Sequence, residues 1–505
     1  MASTDGLEIE RKFDVAEATP LAALHELPAV RRVEQPVEHA LEAVYFDTRE
    51  LTLAARHITV RRRTGGDDAG WHLKLPVSPE QRSELHEPLG GDPNRVPERL
   101  LRLVRVHLRG KALVPVARLH TRRVVRRLHG ENDDVIAVFC DDRVRAERLA
   151  PESVTESWRE WEVELVDGGA AFLDAAESLF AAAGVHRSAS ASKLARALGD
   201  RVPPQKQPAP WTYRHGTAAN TLLTYVDEHV RALVEQDPLV RQGAPDSVHD
   251  MRIAARRLRS ALATYRALLA AEVAGRLRDE LKWLGGALGA SRDIEVINLR
   301  LDCLVGSEPP GLVLGPVASR IDAQLGAEAT AALHTGLGAL DSERYFRLLN
   351  DLDWLLASPP LTDRATRSAE KTIPRLVDGE WRRLREAARA ASKRTAAELR
   401  DPALHEVRKA AKRLRYAAEV AVPVRRKTAL RLVDAAQELQ TILGEHQDSV
   451  VARDALLRVS TQAYLHGENG FSYGRLHALE ERNARESDAR FQLAWKHFPK
   501  GLLRG

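Results

Sequence analysis

Cysteine is nearly absent: Cys140 and Cys303 are the two in 505 residues, too few for a disulfide framework or a thiolate zinc site. Aromatic residues reach only 5%, which counts against a surface that stacks nucleic-acid bases on aromatic platforms. No apolar run extends to 18 residues, so no membrane span is expected. The opening MASTDGLEIERKF lacks the charged-then-apolar pattern of a secretory signal. With the scarce cysteine, this predicts a cytoplasmic protein. A strong excess of one charge is missing too: 76 Lys+Arg against 71 Asp+Glu give +5, unlike a polybasic nucleic-acid binder. What the chain does have is 44% hydrophobic residues, enough to bury real cores over a length that suits two to four compact units.

The character changes near residue 200. Before it, short alternating segments such as LEIERKF, HITVRRR, WHLKLPV and REWEVEL are separated by turn residues, the pattern of strands. Gly199–Pro210 (GDRVPPQKQPAP) holds four prolines and no periodicity, which reads as a linker. From about 214 the sequence becomes rich in Ala, Leu, Arg and Glu, with 3.6-residue periodicity. The expected organisation is an α+β domain over 1–200, a linker over 201–212 and an all-α domain over 213–500.

The helical half repeats itself. His249-x-x-Arg252-x-x-x-Arg256-Arg257-Leu258-Arg259 matches His405-x-x-Arg408-x-x-x-Lys412-Arg413-Leu414-Arg415. Leu288-Gly289-x-x-Arg292-Asp293 matches Leu443-Gly444-x-x-Gln447-Asp448 in almost the same register. Two signatures in step predict a tandem duplication and a pseudo-two-fold helical bundle.

In the β half, strand alternation puts charges together. Leu7 and Ile9 oppose Glu8, Glu10 and Lys12; Ile58 and Val60 oppose Arg61 and Arg63; Trp161, Val163 and Leu165 oppose Glu162 and Glu164. Carboxylate pairs suit a hard divalent cation, and guanidinium forks suit phosphate oxygens. Closing such strands into a barrel would turn these charges inward.

Glu8-x-Glu10-x-Lys12, followed by Tyr45-Phe46-Asp47-Thr48, Arg61-x-Arg63, Trp71-x-x-Lys74, Arg82-x-Glu84, Thr121-Arg122-Arg123, Glu162-x-Glu164 and Ser192-Lys193, resembles the CYTH superfamily, the triphosphate tunnel metalloenzymes. The resemblance implies an eight-stranded antiparallel tunnel that binds a triphosphate compound with Mg²⁺ or Mn²⁺. It implies metal ligation by Glu8, Glu10, Glu162 and Glu164, with Asp141 in supporting contact. Phosphate would be gripped by Lys12, Arg61, Arg63, Lys74, Arg82, Arg123 and Lys193, with Arg123 rather than Arg122 facing inward. Catalysis would then rest on Glu8, Glu10, Lys12, Glu162 and Glu164, because phosphoryl transfer needs positioning and charge neutralisation more than a covalent catalyst.

On a helix, His249, Arg252, Arg256 and Arg259 fall within an arc of about 80°, and His405, Arg408, Lys412 and Arg415 repeat it. Like charges at this spacing repel by roughly 0.2–0.5 kcal/mol per pair, so the same stripe in both copies points to an anion between them. Asp293 and Asp448 would orient these arginines or cap helices. These motifs resemble the CHAD domain. That resemblance implies binding of inorganic polyphosphate through a basic pore, and association with polyphosphate granules. The leading reading is a triphosphatase tunnel joined to a polyphosphate-binding bundle. A non-enzymatic polyphosphate-binding protein and adenylate cyclase chemistry are the alternatives.

Overall fold

The computed structural model describes residues 6–499 apart from 79–80, 150–152, 168 and 205–214. The described residues separate into two compact units, one on each side of 205–214. The expected linker therefore lies mostly outside the described residues, although Gly199–Arg201 forms a short 3-10 turn before it.

In the first unit the alternation of the sequence becomes a closed sheet. The strands are β1 (Gly6–Val15), β2 (Arg32–Val33), β3 (Val37–Asp47), β4 (Thr59–Thr64), β5 (Gly70–Ser78), β6 (Gln81–Glu87), β7 (Val114–His129), β8 (Val135–Arg148), β9 (Val154–Leu165) and β10 (His186–Arg187). Eight of them run β1-β6-β5-β4-β3-β7-β8-β9, every neighbour antiparallel, and β9 returns to β1. The two-residue strands β2 and β10 sit on β7 and β1.

The hydrophobic core lies outside the barrel wall, not within it. Helix α1 (Glu98–Leu108) covers Phe46, Val60, Trp71 and Leu73 with Leu100, Leu103 and Val104. Helix α2 (Ala170–Ala182) covers Phe13, Phe139, Trp161 and Val163 with Leu173, Ala176 and Phe180. Each such side chain contributes about 1.5–3 kcal/mol when fully buried. Apolar residues are thus used on one face of each strand, and the other face is free to carry charge. One stretch of the lumen is different. There the short helix α3 (Lys193–Leu198) inserts Leu194 and Leu198 against Tyr45, Leu119, Val144 and Trp158. Asp47, fully buried, serves the turn after β3 by accepting from the backbone of Thr48, Leu53 and Ala54 at 2.6, 2.9 and 2.8 Å.

The second unit is all helical: α4 (Ala218–Gln242), α5 (Ser247–Thr264), α6 (Ala271–Ala287), α7 (Gly289–Gly306), α8 (Val317–Leu340), α9 (Glu343–Ala357), α10 (Ala369–Ser392), α11 (Ala397–Ala421), α12 (Arg426–Leu465) and α13 (Phe471–His497). The α4–α5 and α10–α11 hairpins pack on each other. A second core joins α7, α8, α12 and α13 through Leu301, Ile321, Leu325, Leu456, Val459 and Leu476. No described helix is long and apolar enough to cross a membrane.

Candidate active site and anion cleft

Strand register brings the sequence-distant charges of the barrel together. Across β1 and β9, Glu10 stands opposite Glu164 and Lys12 opposite Glu162. Across β7, β8 and β9, Arg123 faces Asp142 and Asp142 faces Glu160. Lys12 donates to Glu162 and lies 2.9 Å from Glu10. Lys193, carried in by α3, reaches Glu162 at 2.7 Å, Asp142 at 2.9 Å and Glu160 at 2.7 Å. Arg123 holds Asp142 through two bonds of 2.8 and 2.6 Å and also contacts Glu162. Along β4 to β6, Lys74 reaches Glu8 of β1 and lies 3.5 Å from Glu84, while Arg61 is 3.7 Å from Glu84. Arg63 pairs with Asp68, and Arg82 donates to the carbonyl of Ala191.

One expected residue is corrected. Asp141 does not enter the lumen; its carboxylate takes a bidentate grip from Arg159 at 2.8 and 2.7 Å. Asp142 holds the inward position instead, at 0% exposure. The parity was available in the sequence. Phe139 belongs to the core under α2, so Asp141, two residues on, shares its outward face. Arg122 likewise points outward to Glu38 at 2.5 and 2.9 Å.

The sequence reading missed Glu160, although it shares the face of Glu162 and Glu164. It also missed His72, two residues before Lys74. His72 shares a hydrogen bond with Glu84 at 2.8 Å. Burial, assisted by Arg61 and Arg63, outweighs that bond and pushes its imidazole down to about 4, so it is neutral.

Burial raises the cost of every charge here, and the neighbours decide the outcome. Glu162 is held well below the usual carboxylate range by Lys12, Lys193 and Arg123 against that cost. Glu164 goes the other way: burial, with the Glu8, Glu10 and Glu162 charges, pushes it up to about 7. Burial likewise pushes the Cys140 thiol up to about 12, only partly opposed by Arg123, which removes it as a nucleophile.

Counted together, the cations Lys12, Arg61, Arg63, Lys74, Arg82, Arg123 and Lys193 stand among the carboxylates Glu8, Glu10, Glu84, Asp142, Glu160, Glu162 and Glu164. Seven cations stand with seven carboxylates, with Asp68 on Arg63 in addition and Glu164 only partly ionised near pH 7, so the set is close to balanced and a polyanion is better accommodated when it brings positive charge of its own. The carboxylates fit a divalent cation. Glu10 Oε1 is buried without a hydrogen-bond partner, Glu164 is crowded by like charges, and oxygens of Asp142, Glu160 and Glu162 lie within 4.8 Å of one another. Hard oxygen donors suit Mg²⁺ and Mn²⁺.

The two aspartates give a direct test. Asp142→Asn breaks a buried ion-pair network and should cost about 3–5 kcal/mol, readable by denaturant unfolding. Asp141→Asn should also lower stability. At a temperature where both variants are folded, only Asp142→Asn should lose phosphate release from triphosphate. Equal turnover in the two would return both aspartates to a structural role.

In the helical unit, α5 packs against α11 and their stripes converge. Lys412 lies near Arg408, Arg256 and Arg252; burial, then these guanidiniums, push it down to about 7 against the pull of Asp448. Arg408 has a buried Nε without a partner. Arg252 is occupied, donating to Asp293 at 3.1, 3.1 and 3.3 Å. The repeated Leu-Gly pair lies against these arginines. A Cβ on Gly289 would stand 3.1 Å from Arg252 Nη2, a tight approach, and one on Gly444 3.5 Å from Arg408 Nη2, an ordinary contact, so each glycine lies against the stripe arginine of its own repeat and Gly289 gives Arg252 room. His405 shares a hydrogen bond with Gln447 Oε1 at 2.6 Å, whereas His249 is exposed. Arg415 leaves the stripe: it lies 3.4 Å from Glu419 and over the ring of Tyr416. Its place in an anion cleft is corrected accordingly.

Comparison with known proteins gives a matching picture. The CYTH domain family matches residues 6–198 and the CHAD domain family residues 224–457. The uncharacterized protein Rv2226 of Mycobacterium tuberculosis is 38% identical over 515 residues, covering 98% of this chain and 97% of that protein. Among solved structures, PptA from Streptomyces chartreusis is 25% identical with a TM-score of 0.47, over 55% of this chain and 99% of that one. The CHAD domain from the plant Ricinus communis is 25% identical with a TM-score of 0.46, over 57% of this chain and 94% of that one.

Proposed function

Because this chain belongs to the family of proteins in which a CYTH domain precedes a CHAD domain, we propose that its barrel hydrolyses inorganic triphosphate or a related triphosphate compound, and that its helical unit binds inorganic polyphosphate. The observation that carries the first half is the near balance of the tunnel charges. Arginine forks and lysine ammoniums are present for phosphate oxygens, yet most of them are paired with carboxylates, an arrangement that suits a metal–triphosphate complex better than a bare anion. Glu8, Glu10 and Glu164 would hold the metal, with Asp142, Glu160 and Glu162 as a second acidic group. When bound, a divalent cation supplies charge neutralisation at the phosphate oxygens and polarises them. Lys12, Lys193 and Arg123 would orient the phosphates beside Glu162, and Arg61, Arg63, Lys74 and Arg82 would do so from β4 to β6.

The second half rests on Arg256, Arg408 and Lys412, half-buried cations to which, among the described residues, no carboxylate is bonded. A desolvated cluster of one sign is costly unless an anion offsets it.

A panel of inorganic triphosphate, long-chain polyphosphate and ATP, with and without Mg²⁺ and Mn²⁺, tests the reading. Metal-dependent phosphate release supports it; cyclic AMP from ATP would favour the cyclase alternative; inactivity on every substrate would leave a binding protein. Metal affinity should also depend on pH. Glu164 must be deprotonated to ligate, so Mn²⁺ affinity should rise by up to about tenfold per pH unit below 7 and level off above it. A flat profile from pH 5.5 to 8 would remove Glu164 from the ligand set.

A further inference from the structure

Most of the tunnel cations are held by carboxylates of the barrel wall. Lys12 and Lys193 go to Glu162, Lys74 to Glu8 and Arg123 to Asp142. Arg63 differs, because its partner Asp68 comes from the turn between β4 and β5. Register explains the reach. Arg63 stands opposite Gly70 and Arg61 opposite His72, the two positions on that face nearest the turn. Gly65 and Gly66 take φ of +79° and +73°, and a Cβ on Gly65 would collide with the Ala40 carbonyl, so the reversal that brings Asp68 back to Arg63 needs glycine. The two partners differ in their access to water: the Arg63 side chain is 7% exposed and that of Asp68 59%. Behind the turn stands a shared tether. His72 Nε2 lies 3.0 Å from the Asp68 carbonyl, and Nδ1 2.8 Å from Glu84. A neutral imidazole has one N–H for these two acceptors, so it cannot hold the turn and Glu84 at once.

We propose that Asp68 is a stand-in anion on Arg63, which a triphosphate must displace to be gripped there, and that it thereby sets the affinity of the barrel for its substrate. This rests on the triphosphate reading above and adds a residue that opposes binding. A buried guanidinium left bare is costly, and the aspartate offsets that cost in the free barrel. On binding, Arg63 exchanges one anion for another, while the Asp68 carboxylate regains water at the exposed turn. A site partly filled by its own chain binds with an apparent affinity lowered by the filled fraction. Asp67 is the matching control. It carries the same charge on the same turn and is exposed, and among the described residues it is bonded to no tunnel cation.

The test is steady-state kinetics of the full chain with inorganic triphosphate and Mn²⁺, joined by calorimetric titration of the non-hydrolysable imido analogue of triphosphate with Mn²⁺. Both are run in an Arg256→Ala, Arg408→Ala background, which weakens anion binding by the helical unit. Asp68→Asn should lower KM and the dissociation constant of the analogue by about three- to tenfold, with kcat changed far less. Asp67→Asn should stay near the parent. In an added Arg63→Gln background the effect of Asp68→Asn should vanish, because it acts through that guanidinium. An unchanged KM in Asp68→Asn would overturn the proposal. So would an equal gain in Asp67→Asn, which reports only the loss of negative charge nearby, or a gain that persists without Arg63. A raised KM with a lowered melting temperature would make Asp68 a structural brace and overturn it as well. If the parent binds the analogue but releases no phosphate, the triphosphatase reading falls and Asp68 is judged on affinity alone. If it does neither, both fall.

Discussion

Glu10→Gln should lower metal-dependent phosphate release by about two to three orders of magnitude, the loss typical of removing one preorganised charged group from a water-poor site. The substitution is nearly isosteric. Glu10 Oε2 lies 2.9 Å from Lys12, and Oε1 is buried with no partner. Glutamine keeps an oxygen for Lys12 and removes only the charge. Burial raises the cost of the Glu10 carboxylate, but Lys12 opposes that and, with Lys74 and Arg82, holds it below the usual range. It is therefore ionised at neutral pH, and its loss is a loss of real negative charge from the acidic set. Mn²⁺ affinity measured by calorimetry should fall alongside turnover, while the melting temperature should fall less than in Asp142→Asn, because Lys12 keeps its bond to Glu162 and Gln keeps an oxygen for Lys12. Wild-type turnover in this variant would take Glu10 out of the site.

Replacing Arg256 and Arg408 together by Ala should weaken polyphosphate binding by about two to four orders of magnitude, since each charge-assisted contact contributes on the order of 1.5–3 kcal/mol. The pH dependence supplies an independent check. Lys412 is pushed down to about 7 by burial and by Arg408 and Arg256. A bound anion favours its charged form, so binding takes up a proton when the free lysine is neutral. Affinity should therefore be steady below pH 7 and fall by up to about tenfold per pH unit above it, until the bound-state value is passed. Lys412→Gln should flatten that profile. A profile unaltered by Lys412→Gln would place the lysine outside the cleft. Single-stranded DNA of matched charge should bind more weakly than polyphosphate, because the cleft offers its bases no aromatic platform.

Much of the site was legible because a strand alternates with period two. Once Ile9 and Phe13 are assigned to the core face, Glu8, Glu10 and Lys12 must share the other face, and the same holds for Glu162 with Glu164. The resemblance names Asp141, whose side chain turns outward, and leaves out Asp142 and Glu160, which share the inward face. In both cases the apolar neighbours Phe139 and Trp161 already fixed the parity. The helical stripes were legible for the same kind of reason, since a 3.6-residue period places offsets of 0, 3 and 7 on one side.

The sequence by itself determined which residues share a face, where the chain changes class, and that two helices carry the same cationic pattern. These follow from local periodicity. Tertiary structure alone decided which faces meet. Lys193 is far from Glu162 in sequence, and only the insertion of α3 into the lumen brings its ammonium to Glu162 and Asp142. Arg415 has the offset of a cleft residue, yet Glu419 one turn later and the ring of Tyr416 draw it away. Periodicity is written along one chain segment, whereas charge pairing depends on distances across the fold.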